Sequence, residues 1–155
     1  MIKLLRIDHR LIHGQVAFSW TQELGADCIL LANDDCVTNQ IRRTAISLAK
    51  PTNVKLVVKG IEDSIQAINS GKTDKYKLFI LTDKLEYAVR LMEACEINRL
   101  NLGGIIPKDN TKKLNDAVYC TTKEIEQIKH LVEKNCYVYL QQVPSDDEVD
   151  IRNVI

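Results

Sequence analysis

The chain has 155 residues, 21 basic and 21 acidic, and a formal net charge of zero. That length supports one domain, spanning 1–155, with a sizeable core. The charge balance excludes a strongly basic nucleic-acid surface or a polybasic membrane anchor, and no apolar run approaches the ~18 residues of a spanning helix.

Strand-like and helix-like patterns alternate from the first residues onward. Ile2–Ile7 is an apolar run that reads as a buried strand. Gly14–Leu24 carries Val16, Ala17, Trp20 and Leu24 at helical spacing. Ala26–Ala32 reads as strand, and Asn33 or Asp34 caps a following helix with the apolar stripe Val37, Ile41, Ala45 and Leu48. Pro51-Thr52-Asn53 breaks that helix before a strand at Val54–Val58. Gly60 opens a short helix with Ile61, Ile65 and Ile68 inward, ended by Ser70-Gly71-Lys72. Tyr76–Thr82 is strand, and Asp83 caps a helix bearing Leu85, Ala88, Val89 and Met92. Arg99–Leu102 is strand and runs into Gly103-Gly104. Lys108–Lys113 is polar and turn-like, and Ala117–Cys120 is a short strand. Thr121 and Glu124 have capping-box spacing before a helix that buries Ile125, Ile128 and Val132. Tyr137–Val143 is a last strand, and 145–155 is an acidic tail with one or two helical turns.

This alternation predicts an α/β fold: an open, mainly parallel, doubly wound sheet of six to seven strands with helices on both faces. Ligands of such sheets sit beyond the carboxyl ends of the strands, near a switch in strand order. The N-terminal segment is too short for a signal peptide, which predicts a cytosolic location. The cysteines Cys28, Cys36, Cys95, Cys120 and Cys136 are odd in number and form no C-x-x-C pair. They read as inert thiols of a reducing compartment, not as disulfides or zinc ligands.

The richest stretch is Arg6-Ile7-Asp8-His9-Arg10-Leu11-Ile12-His13-Gly14-Gln15-Val16. It places an imidazole, His13, at a strand-to-helix turn. A helix N-terminus favours an anion through its free N–H groups and its dipole. Neutral imidazole has a lone pair for attack on phosphorus. Gly14 leaves room for close backbone approach, and the Arg10 fork suits phosphate oxygens. Arg6 can act from behind the strand end. Asp8 can orient an imidazole, hold Arg10 or stabilise the turn, and Gln15 can donate to phosphate. The plainer reading makes His13 only a turn residue.

His9 and His13 share the H-x-x-x-H spacing of a metal pair, but Arg10 lies between them and no carboxylate follows His9, so no metal is expected. Trp20 reads as a packing residue and His130 as a surface histidine. The chain has no Walker P-loop and no G-x-G-x-x-G, so no nucleotide or other cofactor is implied. The residues alone leave three classes: a phosphohistidine carrier, a regulatory domain that binds a phosphate ligand without covalent chemistry, and a metal hydrolase using His9 and His13.

R-I-D-x-R-L-I-H-G-Q-V resembles the active-site segment of enzyme IIB of the mannose/fructose/sorbose family of the bacterial phosphoenolpyruvate-dependent sugar phosphotransferase system. Asn101-Leu102-Gly103-Gly104-Ile105 is similar to that family's N-V-G-G-M segment. The resemblance covers most of the chain. It implies a cytoplasmic protein-N(pi)-phosphohistidine–sugar phosphotransferase component that associates peripherally with membrane partners. His13 would accept phosphate from IIA and pass it to a hexose or amino sugar held by a IIC–IID permease, with Arg10 and Arg6 as further catalytic residues. Asp8, Gly14 and Gln15 would position the phosphate. His9 departs from the family, where an acid or amide is common, and would sense charge on phospho-His13. No attached IIA is expected, and a homo-oligomer is left open. Gln141-Gln142-Val143-Pro144 is similar to the Q-D-V-P of N-acetylgalactosamine-type members, a pointer toward that sugar.

Overall fold

Strand β1 (Ile2–Asp8) alternates its side chains between two cores, and this alternation organises the molecule. Leu5 and Ile7 face one cluster, and Leu4 faces the other. The computed structural model describes residues 1–155. It contains a seven-stranded sheet in the order β3-β2-β4-β1-β5-β8-β9 and a separate two-stranded hairpin, β6-β7. The other main strands are β2 (Cys28–Ala32), β3 (Lys55–Lys59), β4 (Leu78–Thr82), β5 (Arg99–Gly104), β8 (Tyr137–Leu140) and β9 (Val149–Asp150). All pairings in the sheet are parallel except β8 with β9.

Helices α1 (Gly14–Leu24), α2 (Asp34–Thr38) and α3 (Gln40–Ala49) cover one face, where Ala17, Trp20, Cys36 and Ile46 pack on Leu4, Ile29 and Phe79. Helices α4 (Ile61–Asn69), α5 (Leu85–Cys95) and α6 (Thr122–Glu133) cover the other. The doubly wound expectation holds. The connection out of β1 runs toward β2, and the connection out of β5 runs the other way, toward β8. The switch in strand order therefore falls between β1 and β5, beside the Asp8–His13 turn.

Local chemistry sets several boundaries. Gly25 ends α1 in the left-handed region (φ 61°), and the Gly25 and Ala26 N–H groups close on the Gln22 and Thr21 carbonyls. The capping box that opens α6 forms: Thr121 Oγ1 accepts from the Glu124 N–H at 3.1 Å, and Glu124 Oε1 accepts from the Thr121 N–H at 2.9 Å.

Four expectations change. The single helix predicted after Asn33 is two, because Asn39 is extended (φ −85°, ψ 96°) and its side chain caps α3 by accepting from the Arg42 N–H. The break resets the helical phase, so the expected stripe turns outward: Ile41 is 86% exposed and Leu48 84%, while Ile46 is the buried residue of α3. Asp83 does not cap α5; Lys84 holds that position without a side-chain bond. Asp83 instead accepts from Asn33 Nδ2 at 2.7 Å and Arg42 Nη2 at 2.9 Å, tying β2, α3 and β4 together. The polar stretch 108–113 contains β6 (Thr111–Lys113), paired antiparallel with β7 (Tyr119–Thr121). Finally, the acidic tail is built into the fold. β9 covers the free edge of β8, and Ile151, in a short 3₁₀ turn, is fully buried.

All five cysteines are free. Burial pushes the thiols of Cys28, Cys36 and Cys95 up, and that of Cys120 up to about 12, as expected of unreactive packing cysteines.

Candidate active site

The site is assembled on the C-terminal end of β1. Arg6 is an arginine inside an apolar strand, only 1% exposed. A buried guanidinium is tolerated only with its donors satisfied and a counter-charge close. Its register partner on β5 is Asn101, also fully buried, whose Oδ1 accepts from Arg6 Nη1 at 2.6 Å. Nη1 also donates to the Gln141 carbonyl at 3.0 Å. Nη2 donates to the Gln142 carbonyl at 2.9 Å and to Asp8 Oδ2 at 3.1 Å. Trp20 lies against the same guanidinium, 5.2 Å from ring centroid to Cζ, and its indole N–H also reaches the Gln142 carbonyl. Arg6 thus sits beneath the turn. All the hydrogen bonds of its Nη groups go to internal acceptors, and it is the Arg10 side chain above that reaches solvent.

Asp8 is the hub above it, 1% exposed. Its Oδ1 accepts from the Arg10 backbone N–H and from Arg10 Nε, both at 3.0 Å; its Oδ2 accepts from Arg10 Nη2 at 3.0 Å. Burial pushes the Asp8 carboxyl up, but the Arg10 hydrogen bonds and the Arg6 charge outweigh it and hold it below the usual carboxylate range. Of the roles open to Asp8, the structure shows two together: its carboxylate holds the Arg10 side chain and, through the Arg10 backbone N–H, stabilises the turn. The clamp orients the Arg10 guanidinium, whose side chain is 29% exposed and whose Nη1 has no partner in the chain.

The turn reverses sharply. Leu11 takes the left-handed conformation (φ 59°), and its N–H donates to the Asp8 carbonyl at 2.8 Å. A left-handed leucine costs about 1–2 kcal/mol. Burial of Leu11 and Ile12 in the α1-side core holds it there. His13 follows as the extended N-cap of α1 (φ −117°, ψ 109°). Its side chain is exposed and makes no hydrogen bond to the helix. Its carbonyl accepts the Ala17 N–H, while the N–H groups of Gly14, Gln15 and Val16 have no acceptor. No acidic residue occupies that first turn. A Cβ added at Gly14 would meet open space, and Gln15 is exposed beside it.

Gly103 and Gly104 extend the expected strand and are the last residues of β5. A Cβ on Gly103 would overlap the Arg6 guanidinium, and one on Gly104 would stand 3.1 Å from His9 Nδ1. The pair exists to admit Arg6 and His9 beside the strand. Gly103→Ala is therefore expected to destabilise the fold by about 1–3 kcal/mol through overpacking. A urea midpoint equal to that of the wild type would remove this reason for the glycine. His9 donates its backbone N–H to the Gly104 carbonyl at 3.0 Å, and its Nδ1 is buried without a partner, 3.9 Å from Asp8 Oδ1. Nowhere are three or more His, Cys, Asp or Glu side chains grouped to hold a metal ion.

Sequence reasoning missed Asn101 and the Gln141 and Gln142 carbonyls, and took Trp20 as packing alone. The available signal was polar: an asparagine between Leu100 and Leu102 demands a buried partner, and Arg6 makes the same demand on the neighbouring strand. The Gln141–Pro144 stretch also gains a structural reason. Its carbonyls hold Arg6 and Trp20, and Gln141 Nε2 donates to the Asp146 carbonyl at 2.8 Å. His130 lies exposed on α6, away from this site.

The same arrangement of strands recurs in known proteins. The family described as the PTS system sorbose subfamily IIB component matches residues 2–155. A sorbose-specific EIIB component of Klebsiella pneumoniae is 30% identical over 155 residues, covering 99% of this chain and 94% of that protein. The mannose-specific EIIAB component of Escherichia coli K12 is 29% identical over 156 residues, covering 100% of this chain and 48% of that longer protein. The crystal structure of the IIBSor domain of the sorbose permease from Klebsiella pneumoniae superposes with a TM-score of 0.92 at 29% identity, over 99% of this chain and 94% of that one. With one family matched from the second residue to the last and the same fold in a solved member, the chain belongs to the sorbose subfamily of IIB components of the sugar phosphotransferase system.

Proposed function

We propose that this IIB component carries phosphate on His13, taking it from the phosphohistidine of a IIA protein and giving it to a sugar held by a IIC–IID permease. The observation that supports this reading best is the placement of His13: an exposed N-cap imidazole beside unpaired helix N–H groups, next to an arginine clamped by a buried aspartate. In the first step a ring nitrogen of His13 attacks phosphorus, and the bond to the IIA imidazole breaks. In the second a sugar hydroxyl oxygen attacks, the N–P bond to His13 breaks, and the hydroxyl proton leaves. Charge on the transferring group is met by the Arg10 guanidinium and the N–H groups of Gly14, Gln15 and Val16. Positioning and electrostatics supply the catalysis.

The IIA partner follows the IIA–IIB fusion in the mannose-specific relative's name, the permease partner follows the sorbose permease to which the solved IIBSor domain belongs, and no helix here is long and apolar enough to cross a membrane. Cytoplasmic location with peripheral docking on the permease fits both. Incubation with phosphoenolpyruvate, the general phosphotransferase proteins and a IIA, followed by phosphosite mapping, tests the reading. Phosphate on any residue other than His13 overturns it.

Arg10→Ala is expected to fold normally and to slow transfer by about 2–4 kcal/mol of lost transition-state stabilisation, the scale of losing one preorganised donor. Arg10→Lys should recover only part, since an ammonium cannot keep the two-point grip on Asp8. Single-turnover transfer rates from phospho-IIA check this. Wild-type rates in both variants would take Arg10 out of the mechanism.

A further inference from the structure

A second concave site lies along the sheet edge far from β1. Strand β3 is an edge strand, and its alternate residues Lys55, Val57 and Lys59 face the α4 side. Helix α4 stops at Asn69, so the end of that face is roofed only by the turn at 71–73. The result is a cavity of about 530 Å³. Its floor is apolar: Cys28 and Leu30 of β2, Val57, Ala67 of α4 and Leu78 of β4. Its rim carries Lys55, Lys59, Lys72 and Lys75, and no carboxylate lines it. None of these lysines forms an ion pair within 4.0 Å. Asp74, in the same turn, lies against Gly71 instead.

The rim is also ordered. Lys55 Nζ donates to Tyr76 Oη at 2.8 Å, and Lys55 and Lys75 both stand over the Tyr76 ring, at 5.2 and 5.1 Å from its centroid. Lysines on an edge strand discourage strand-to-strand pairing, which accounts for Lys55 and Lys59. That reason does not reach Lys72 and Lys75, which come from the turn after α4 and converge on the same opening. Lys55 and Lys75 meet at Tyr76 with Lys72 lining the same hollow, and ammonium groups brought together where no carboxylate lines the wall repel each other. An anion placed among them relieves that repulsion.

We propose that this cavity binds a phosphate monoester with an apolar body: the body on the Leu30–Val57–Leu78 floor, the dianion among the lysines. The volume falls in the range of small-molecule sites, and point-charge ammonium groups suit a compact dianion. The ligand is either a free organic phosphate or the monoester headgroup of phosphatidic acid, which share this chemistry. The proposal is independent of phosphate carriage at His13, which lies at the carboxyl end of β1.

The test is an amide NMR titration of the full chain with 1-naphthyl phosphate, beside 1-naphthol and inorganic phosphate. Saturable shifts are expected at Cys28, Val57, Thr73 and Tyr76, with 1-naphthol weaker by about tenfold or more. Lys55→Gln/Lys75→Gln, two exposed changes, should weaken binding by a similar factor while leaving the rest of the spectrum in place. Thr73→Trp, which fills the mouth, should block it. Co-sedimentation with phosphatidic acid-containing vesicles but not pure phosphatidylcholine ones, lost in the lysine double variant, would assign the headgroup to lipid; naphthyl phosphate binding without vesicle capture would assign it to a free phosphate. Shifts confined to the His13 end, or equal affinity in the double variant, would overturn the proposal. So would the absence of both saturation by naphthyl phosphate and vesicle capture.

Discussion

His13→Ala is expected to take up no phosphate from phospho-IIA, while His130→Ala labels like the wild type. The contrast isolates chemistry from composition. Both histidines are exposed, and both sit on helices, but only His13 stands at a helix start with unpaired N–H groups. His130 is in the last turn of α6, within 4.0 Å of Glu133, where the helix end and the carboxylate disfavour a phosphate. Because His13 makes no side-chain bond to the helix, its replacement should leave stability nearly unchanged. Radiolabel transfer with a denaturation curve on the same sample measures both. Normal labelling of His13→Ala would end the phosphohistidine reading.

Asp8→Ala is expected to cost about 3–5 kcal/mol of folding stability, the cost of leaving a buried charge without its partner. Against a typical total of about 5–15 kcal/mol that is a large share. The reason is Arg6, 1% exposed, which would keep Asn101 and two carbonyls but lose its only counter-charge. Arg10 would lose its grip as well, so transfer should fall even where the variant is folded. The Asp8 carboxyl is held low in the folded state, so its contribution is fully present above the unfolded carboxylate value of about 3.9 and is lost as pH falls below it. Asp8→Asn should therefore flatten the loss of stability as pH falls below about 4. Urea midpoints of the two proteins across that window check the sign; parallel curves would show that the Asp8 charge does not stabilise the fold.

The two variants also separate what was legible in the chain from what was not. The loop residues of the candidate site were readable, because their signal is local. An imidazole before a glycine at a helix start needs only neighbours in sequence to be recognised, and α1 begins where the pattern put it, at Gly14. The capping box of α6 was readable for the same reason: its two partners are three residues apart.

What misled was anything decided across the fold. The α2–α3 stripe was drawn at an unbroken helical period, and one extended asparagine turned Ile41 and Leu48 to solvent. Asp83 has cap chemistry at a strand-to-helix boundary, but Asn33 and Arg42, distant in sequence, take both of its oxygens. The tail reads as acidic with a helical turn or two, and it does form one short turn, but its pairing with the edge of β8 and the burial of Ile151 are decided by the rest of the sheet.

Composition, periodicity and local turn chemistry by themselves determined the α/β class and the order of the main strands and helices, and they singled out the turn that carries His13, Asp8 and Arg10 as the candidate site. The tertiary structure alone decided the role of Arg6. From the sequence it is one of two arginines flanking an aspartate; in the fold it is pinned by Asn101, 95 residues away, and by carbonyls 135 and 136 residues away. A buried charge is defined by what surrounds it, and its surroundings come from strands that only sheet formation brings together. The same contacts explain why Gly103 must lack a side chain and why Asp8 is free to hold Arg10 toward solvent.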